Sequence, residues 1–373
     1  MSKVANGQAI IQAFEAWSPK SLAVEGDKNG LMIGTLQKPI HKVLVTLDVL
    51  EEVIDEAIAN EVDLIIAHHP LLFRPLKQIN TDKTYGKIIE KAIKHNITIY
   101  AAHTNLDVAK GGVNDMMADA IGLSNVEVLA PTTEVQLKKL VVFVPESDAT
   151  QVRDALGRAG AGHIGNYSHC SFSGHGVGRF KPEEGSDPFI GEQGKLEEVS
   201  EIKLETIFPA PLQKKIIAAM IKAHPYEEPA FDIYPLDNPG EILGLGRVGY
   251  LQEEMTLHEF GMHVKKVFDV KGARVVGNLE DKVKKVAVLG GDGNKYMNQA
   301  IFKGADVFVT GDVYYHVAHD AMMDGLRIVD PGHNVEKIMK EGVKNFLTSF
   351  IEENKYDTKV IVSTINTDPF TFI

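Results

Sequence analysis

Across the first 130 residues, short β-rich runs alternate with longer amphipathic segments, and this alternation restricts the chain to βα units feeding a mostly parallel sheet. Residues 41–48 (HKVLVTLD) read as a strand, residues 50–60 as a helix with Val53, Ala57 and Ile58 on its apolar side, and residues 62–67 (VDLIIA) as the next strand. Proline cannot donate to a sheet ladder, so His68-His69-Pro70 ends that strand. A helix over residues 84–95, a strand over 97–102 and a helix starting at Asn114 continue the pattern.

The same grammar returns near the C-terminus, with strands over 285–289 and 305–310 around a helix over 294–303. At a constant offset of 243, Lys42, Val43, Val45, Ala57 and Asp63 fall on Lys285, Val286, Val288, Ala300 and Asp306. At an offset of 229, the strand 97–100 falls on 326–329, Asn105 on Asn334 and Asp107 on Glu336. The expected fold is therefore α/β, with two related halves facing one another and presenting the same strand ends to one cleft. Between them the order changes to β-α-β-β-α-β, the ferredoxin-like α+β pattern, inserted in a host loop. The expected boundaries are 1–130 for half one, 131–238 for the insert and 239–373 for half two. Within the insert, the Gly/Ser/His-rich segment 160–178, with His163, His169, Cys170 and His175, matches no zinc-site spacing and reads as a mobile polar loop.

Composition narrows the chemistry. Against 39 Lys+Arg stand 51 Asp+Glu, a net charge of −12, which disfavours a binder of nucleic-acid backbones. The apolar runs are far too short to span a bilayer, and the N-terminus carries no secretion signal, so a cytoplasmic protein is expected. The single cysteine, Cys170, permits no internal disulfide and removes thiolate zinc sites, leaving the 14 histidines and the carboxylates as metal ligands.

Three sets of such residues directly follow predicted strands, where open α/β sheets bind ligands. The first is His68-His69. The second is His103-Thr104-Asn105-Leu106-Asp107, in which Asp107 is either a ligand or a helix N-cap. The third is Asp330-Pro331-Gly332-His333-Asn334-Val335-Glu336; His333 and Glu336, three apart, share a face if a helix begins there, although Glu336 could equally be a first-turn capping carboxylate. His68, His69, Asp107, His333 and Glu336 make five ligands, enough for two divalent ions (Zn²⁺, Mn²⁺ or Fe²⁺) if one carboxylate bridges. A bimetal centre lowers the pKa of bound water and stabilises charge on attacked and leaving oxygens, which makes it a hydrolytic device. His103 and His316 are the candidates for proton transfer. The cluster Gly290-Gly291-Asp292-Gly293 reads as a tight turn, with a phosphate contact as the alternative.

These motifs carry a resemblance. VEGDKNGLMIG (24–34), DLIIAHHPLLF (63–73), AAHTNLD (101–107), VLGGDG (288–293), GADVFVTGDVYYHVAHDA (304–321) and DPGHNVE (330–336) resemble the NIF3-like family, whose bacterial members are often labelled GTP cyclohydrolase 1 type 2 homologs. The insert, ending in AHPYEEPAFDIYPL (223–236), looks like the PII- or CutA-like domain of longer bacterial members. The resemblance implies a dinuclear site on the five residues above and a toroidal homohexamer. Some members place the last carboxylate four residues after the histidine, whereas here the spacing is three. The expected function is a metal-dependent hydrolase acting on a small molecule, with a purine nucleotide such as GTP as the named candidate, attacked at C8 by a metal-bound hydroxide. The rival is a regulatory or scaffold protein whose ring and insert sense a small molecule or bind a partner.

Overall fold

A computed structural model describes residues 3–373. They form two compact units: one combines the chain up to Thr133 with Leu243–Ile373, and the other is Glu134–Ile242.

In the first unit, a five-stranded sheet runs in the order Lys359–Val362, Lys42–Thr46, Leu64–Ala67, Thr98–Ala101 and Gly30–Ile33, parallel except for its last strand. Leu64–Ala67 and Thr98–Ala101 are buried at every position, which is why Leu64–Ala67 reads as an unbroken apolar run instead of an alternating one. A six-stranded sheet orders Arg274–Val276, Arg327–Asp330, Val307–Gly311, Lys282–Asp292, Ile242–Thr256 and Ser124–Glu134. Its middle three strands Arg327–Asp330, Val307–Gly311 and Lys282–Asp292 are mutually parallel.

One apolar core joins the two sheets: Val43, Val45 and Ile66 lie in the same cluster as Val286, Val309 and Val329. Helices Val113–Ile121 and Met339–Glu353 supply Met117, Ile121, Val343 and Leu347 to it. The outer face of the first sheet packs Leu44 and Ile65 on Val53, Ala57 and Ile89 of its own helices, and the second sheet packs Ala287 and Phe308 on Ala300 and Ala321. With both faces covered, the carboxyl ends of the parallel strands are the places where polar side chains can gather.

The second unit is a four-stranded antiparallel sheet in the order Phe231–Pro235, Leu137–Pro145, Glu197–Pro209, Phe172–Phe180. Helices Ala149–Ala159 and Gln213–Ala223 cover one face through Val152, Leu156, Ile216 and Met220, which pack on Leu140, Val142, Ile202 and Leu204. The loop expected over residues 160–178 is corrected in its second part. Phe172–Phe180 is an edge strand paired with Glu197–Pro209 from Phe172↔Glu205 to Phe180↔Glu197. Its Gly174, Gly176 and Gly178 leave the middle of one face without side chains, so backbone pairing makes a strand in which Val177 is the one β-branched residue to advertise it.

Candidate metal centre

His68 and His69 leave the end of Leu64–Ala67 without leaving the ladder. The His68 N–H donates to the Thr46 carbonyl (3.2 Å) and the His69 N–H to the Leu47 carbonyl (2.9 Å). Their rings nevertheless converge, with centroids 5.1 Å apart. On the opposite side, Asp330 ends the strand Arg327–Asp330 and accepts the Gly332 N–H at 2.9 Å, fixing a turn in which Gly332 has φ +87°. The chain then enters the 3₁₀-helix His333–Ile338. With three residues per turn, a 3₁₀-helix stacks positions i and i+3, so the three-residue spacing places His333 and Glu336 side by side. His333 Nε2 is 3.2 Å from Glu336 Oε2.

Each of four histidines is held by its Nδ1. His68 Nδ1 donates to the Ala102 carbonyl (2.8 Å). His69 Nδ1 is 2.7 Å from Asp48 Oδ1, His103 Nδ1 2.6 Å from Asp27 Oδ1, and His333 Nδ1 2.7 Å from Asp312 Oδ2. Such anchoring orients the ring and directs the Nε2 lone pair of the neutral tautomer elsewhere. For three of them that direction is one oxygen: Glu336 Oε2 lies 3.0 Å from His69 Nε2, 3.2 Å from His333 Nε2 and 3.7 Å from His68 Nε2.

Asp107 arrives from the short helix Thr104–Val108, and it does not serve as an N-cap; Gly112 caps the next helix. Its Oδ1 lies 3.6 Å from His68 Nε2, beyond hydrogen bonding. Asn114 locks this segment to the strand Lys282–Asp292, donating to the Asp107 carbonyl and accepting the Gly290 N–H, both at 3.0 Å. The glycine cluster also acquires a role. A Cβ on Gly290 would lie 2.8 Å from Glu336 Oε1, and one on Gly291, where φ is +67°, would lie 3.2 Å from His333 Nε2. These glycines make room for the two side chains.

The electrostatics are those of carboxylates and imidazoles sharing a dry space. Burial alone would lower His69, but Asp48 and Glu336 outweigh it and raise its pKa to about 10. His333 is raised to about 9 against the same burial penalty, by Glu336 and Asp312. His68 is also raised, the charges of Asp107 and Glu336 overcoming full burial. Asp107 moves up to about 6 because burial outweighs the attraction of His68. Glu336 is held well below the usual carboxylate range, since His68, His333 and His69 overcome its burial. Asp27 is drawn down to about 2, its burial overcome by hydrogen bonds from His103 and Thr104.

Three groups place ligand atoms within 4.8 Å of one another: His68–His69–His103, His69–His333–Glu336 and His68–Asp107–Glu336. Two buried atoms in them, His68 Nε2 and Asp107 Oδ1, have no hydrogen-bond partner. Unpaired buried polar atoms are rare and costly, and two aimed at one space suit a cation. The donor set of imidazole nitrogens and carboxylate oxygens fits a divalent ion of the zinc, manganese or iron kind.

The structure thus brings together all five expected ligands and sets His103 beside them, its ring centroid 5.4 Å from that of His68 and 5.7 Å from that of His69. His316 is elsewhere, exposed on helix Tyr315–Met323 and in none of the three groups. Sequence reading missed the carboxylates behind the histidines, Asp27, Asp48 and Asp312. For two of them a signal existed. Thr46 pairs level with Ala67, so Asp48 comes level with His69, and Val309 pairs with Val329, which brings Asp312 to the turn before His333.

A protein-family model described as Duf34/NIF3 (NGG1p interacting factor 3) matches residues 5–369. A relative from Halalkalibacterium halodurans named GTP cyclohydrolase 1 type 2 homolog is 69% identical over 371 residues, covering 100% of both chains. One of the same name from Bacillus subtilis is 63% identical over 373 residues, again with full coverage. A solved Bacillus cereus protein related to NIF3 superposes with a TM-score of 0.94 at 64% identity over 100% of each chain. Staphylococcus aureus protein SA1388 does so with a TM-score of 0.75 at 33% identity, covering 99% of each. Helix by helix, none of the described residues forms a segment long and apolar enough to cross a membrane. The chain that gathers these histidines and carboxylates at its strand ends is a member of the DUF34/NIF3 family.

Proposed function

We propose that this protein is a hydrolase that works with two divalent ions, one held by His69, His333 and Glu336 and the other by His68, Asp107 and Glu336. The observation that carries the reading is the convergence of three Nδ1-anchored imidazoles on Glu336 Oε2, beside the unpaired His68 Nε2 and Asp107 Oδ1. Ions bound there would supply Lewis acidity to the attacked and leaving groups of a substrate. The chain's own part is to hold neutral Nε2 atoms inward through Ala102, Asp48 and Asp312, and to move a proton through His103. Asp27 holds the far nitrogen of that ring, which leaves the near nitrogen to face the cluster. Proton transfer thereby falls to His103, with His316 not required. A small-molecule substrate is inferred, and the relatives' name directs the first trial to GTP and other purine nucleotides.

The same reading includes two related halves around a ferredoxin-like insert, a homohexamer and a cytoplasmic setting. The β-α-β-β-α-β order and the strand order of the Glu134–Ile242 unit support the insert assignment. Metal analysis of the purified protein tests the site, with close to two ions per chain expected. Turnover of a nucleotide panel by the loaded protein tests the activity, and light scattering tests the hexamer. One observation favours the sensing alternative: the insert contains a cavity of about 840 Å³ walled by Phe143, Phe180, Phe189 and Tyr226. A loaded protein that converts no nucleotide while a small molecule binds that cavity would establish the sensor instead.

A further inference from the structure

Beside the metal centre lies a second cavity, of about 430 Å³, between the segment Asp269–Lys271, the 3₁₀-helix His333–Ile338 with the start of Met339–Glu353, and the tail around Thr364–Asp368. Lys271, Lys337 and Lys340 line it, against Asp269 and Asp368, so its wall is net positive in a chain of net charge −12. Neither Lys337 nor Lys340 is neutralised by a carboxylate at contact distance. Lys337 Nζ donates to the Asp269 carbonyl (2.9 Å) and Lys340 Nζ to the Ser363 carbonyl (3.0 Å). An ammonium has three N–H donors, so each lysine has two to spare. Glu56, one of the carboxylates whose charge acts on Lys340, is hydrogen-bonded at both oxygens: Oε1 accepts from the Thr364 N–H (2.8 Å) and Oε2 from the Ser363 hydroxyl (2.5 Å). The pKa of Lys340 is lowered, first by burial and then by the charge of Lys337, against the opposing pull of Glu56, Glu341 and Asp48.

The cavity is wired to the metal centre at two points. Asn334 lines it and directly follows His333. Thr367 lines it and donates through Oγ1 to Asp48 Oδ2, whose other oxygen holds His69 Nδ1. A group bound between the lysines would therefore sit against Asn334, the chain neighbour of His333, and Thr367, which holds the carboxylate that orients His69.

We infer that Lys271, Lys337 and Lys340, with Asn334 and the Thr364–Asp368 tail, form a binding site for the phosphate groups of a ligand whose remainder extends to the metal centre. As a substrate subsite, this assignment rests on the metal-centre reading above. Recognition is by charge-assisted hydrogen bonds from the ammoniums to phosphate oxygens, in a cavity large enough for a di- or triphosphate.

Inorganic pyrophosphate is the probe, titrated calorimetrically into the full chain after chelation, so that no metal competes for the anion. One site per chain is expected. Lys337→Gln and Lys340→Gln should each weaken binding about tenfold or more, the size of one lost charge-assisted bond. Lys340→Arg should retain it, and His68→Ala should leave it within about twofold. Wild-type metal content in the lysine variants reports that they fold. Absence of saturable binding, wild-type affinity in both Gln variants, or loss in His68→Ala would overturn the site. Because the probe is read without metal, a protein that failed to load ions would still give this result, which separates the two failures. In the loaded protein, displacement of pyrophosphate by GTP assigns the phosphates to a substrate, whereas pyrophosphate binding that GTP cannot displace would overturn the substrate assignment.

Discussion

Glu336 is the one residue common to both proposed ion groups, and its replacement by glutamine gives a result no other ligand should give. The side chain is 3% exposed, and its Oε2 is 3.0, 3.2 and 3.7 Å from the Nε2 atoms of His69, His333 and His68. Glu336→Gln preserves shape while removing the charge. Loss of a partner that merely stands behind a ligand costs roughly 10- to 100-fold in metal affinity, about 1.4–2.8 kcal/mol, so loss of a ligating carboxylate should cost each ion at least that. Asp107→Asn touches only the group with His68, and His333→Ala only the group with His69. With metal content measured by mass spectrometry after dialysis against about micromolar free ion, wild type should hold two ions, each single-group variant one, and Glu336→Gln close to none. Two ions retained in Glu336→Gln, or the same loss in all three variants, would refute the shared-carboxylate geometry.

Loading should release protons and strengthen as pH rises, because His69 and His333, raised to about 10 and about 9, must give up protons to ligate; pH-stat titration measures both. The metal-free fold should behave oppositely. A raised histidine contributes stability that is fully present below its unfolded pKa of about 6.5, so melting temperature should fall as pH climbs from there through about 9–10. Gly290→Ala, whose Cβ would lie 2.8 Å from Glu336 Oε1, should lower metal affinity about tenfold or more while changing the melting temperature by only a few degrees. Replacing residues 135–241 with a short turn should leave metal content intact, since the strands Ser124–Glu134 and Ile242–Thr256 are sheet neighbours; loss of both ions on excision would make the insert part of the site.

The parallel strands were legible because burial on both faces leaves no choice but a continuous apolar run, as in Leu64–Ala67. Phe172–Phe180 was not, since an edge strand with alternate glycines and Val177 as its one β-branched residue carries no apolar alternation. The proposed ligands announced themselves by sitting immediately after strands. Their carboxylate supports stayed hidden because each pairing joins different segments, Asp27 to His103 across 76 positions and Asp48 to His69 across 21, and only sheet register brings them level. His316, also expected from its motif, lies exposed on the helix Tyr315–Met323 and in none of the three groups.

The five expected ligands divide by origin: His68, His69 and Asp107 precede the insert, and His333 and Glu336 follow it, on a turn that runs directly into the core helix Met339–Glu353. An ion held in common is then a tie between distant stretches of chain, acting on the opened protein much as a cross-link does by limiting how far the stretches can part. Its thermodynamic share is set by mass action, about 2.7 kcal/mol at a hundredfold excess over Kd. Hydrogen exchange should locate that share in the seam where the helices Val113–Ile121 and Met339–Glu353 meet, so the ions would serve as fasteners of the fold as well as reagents.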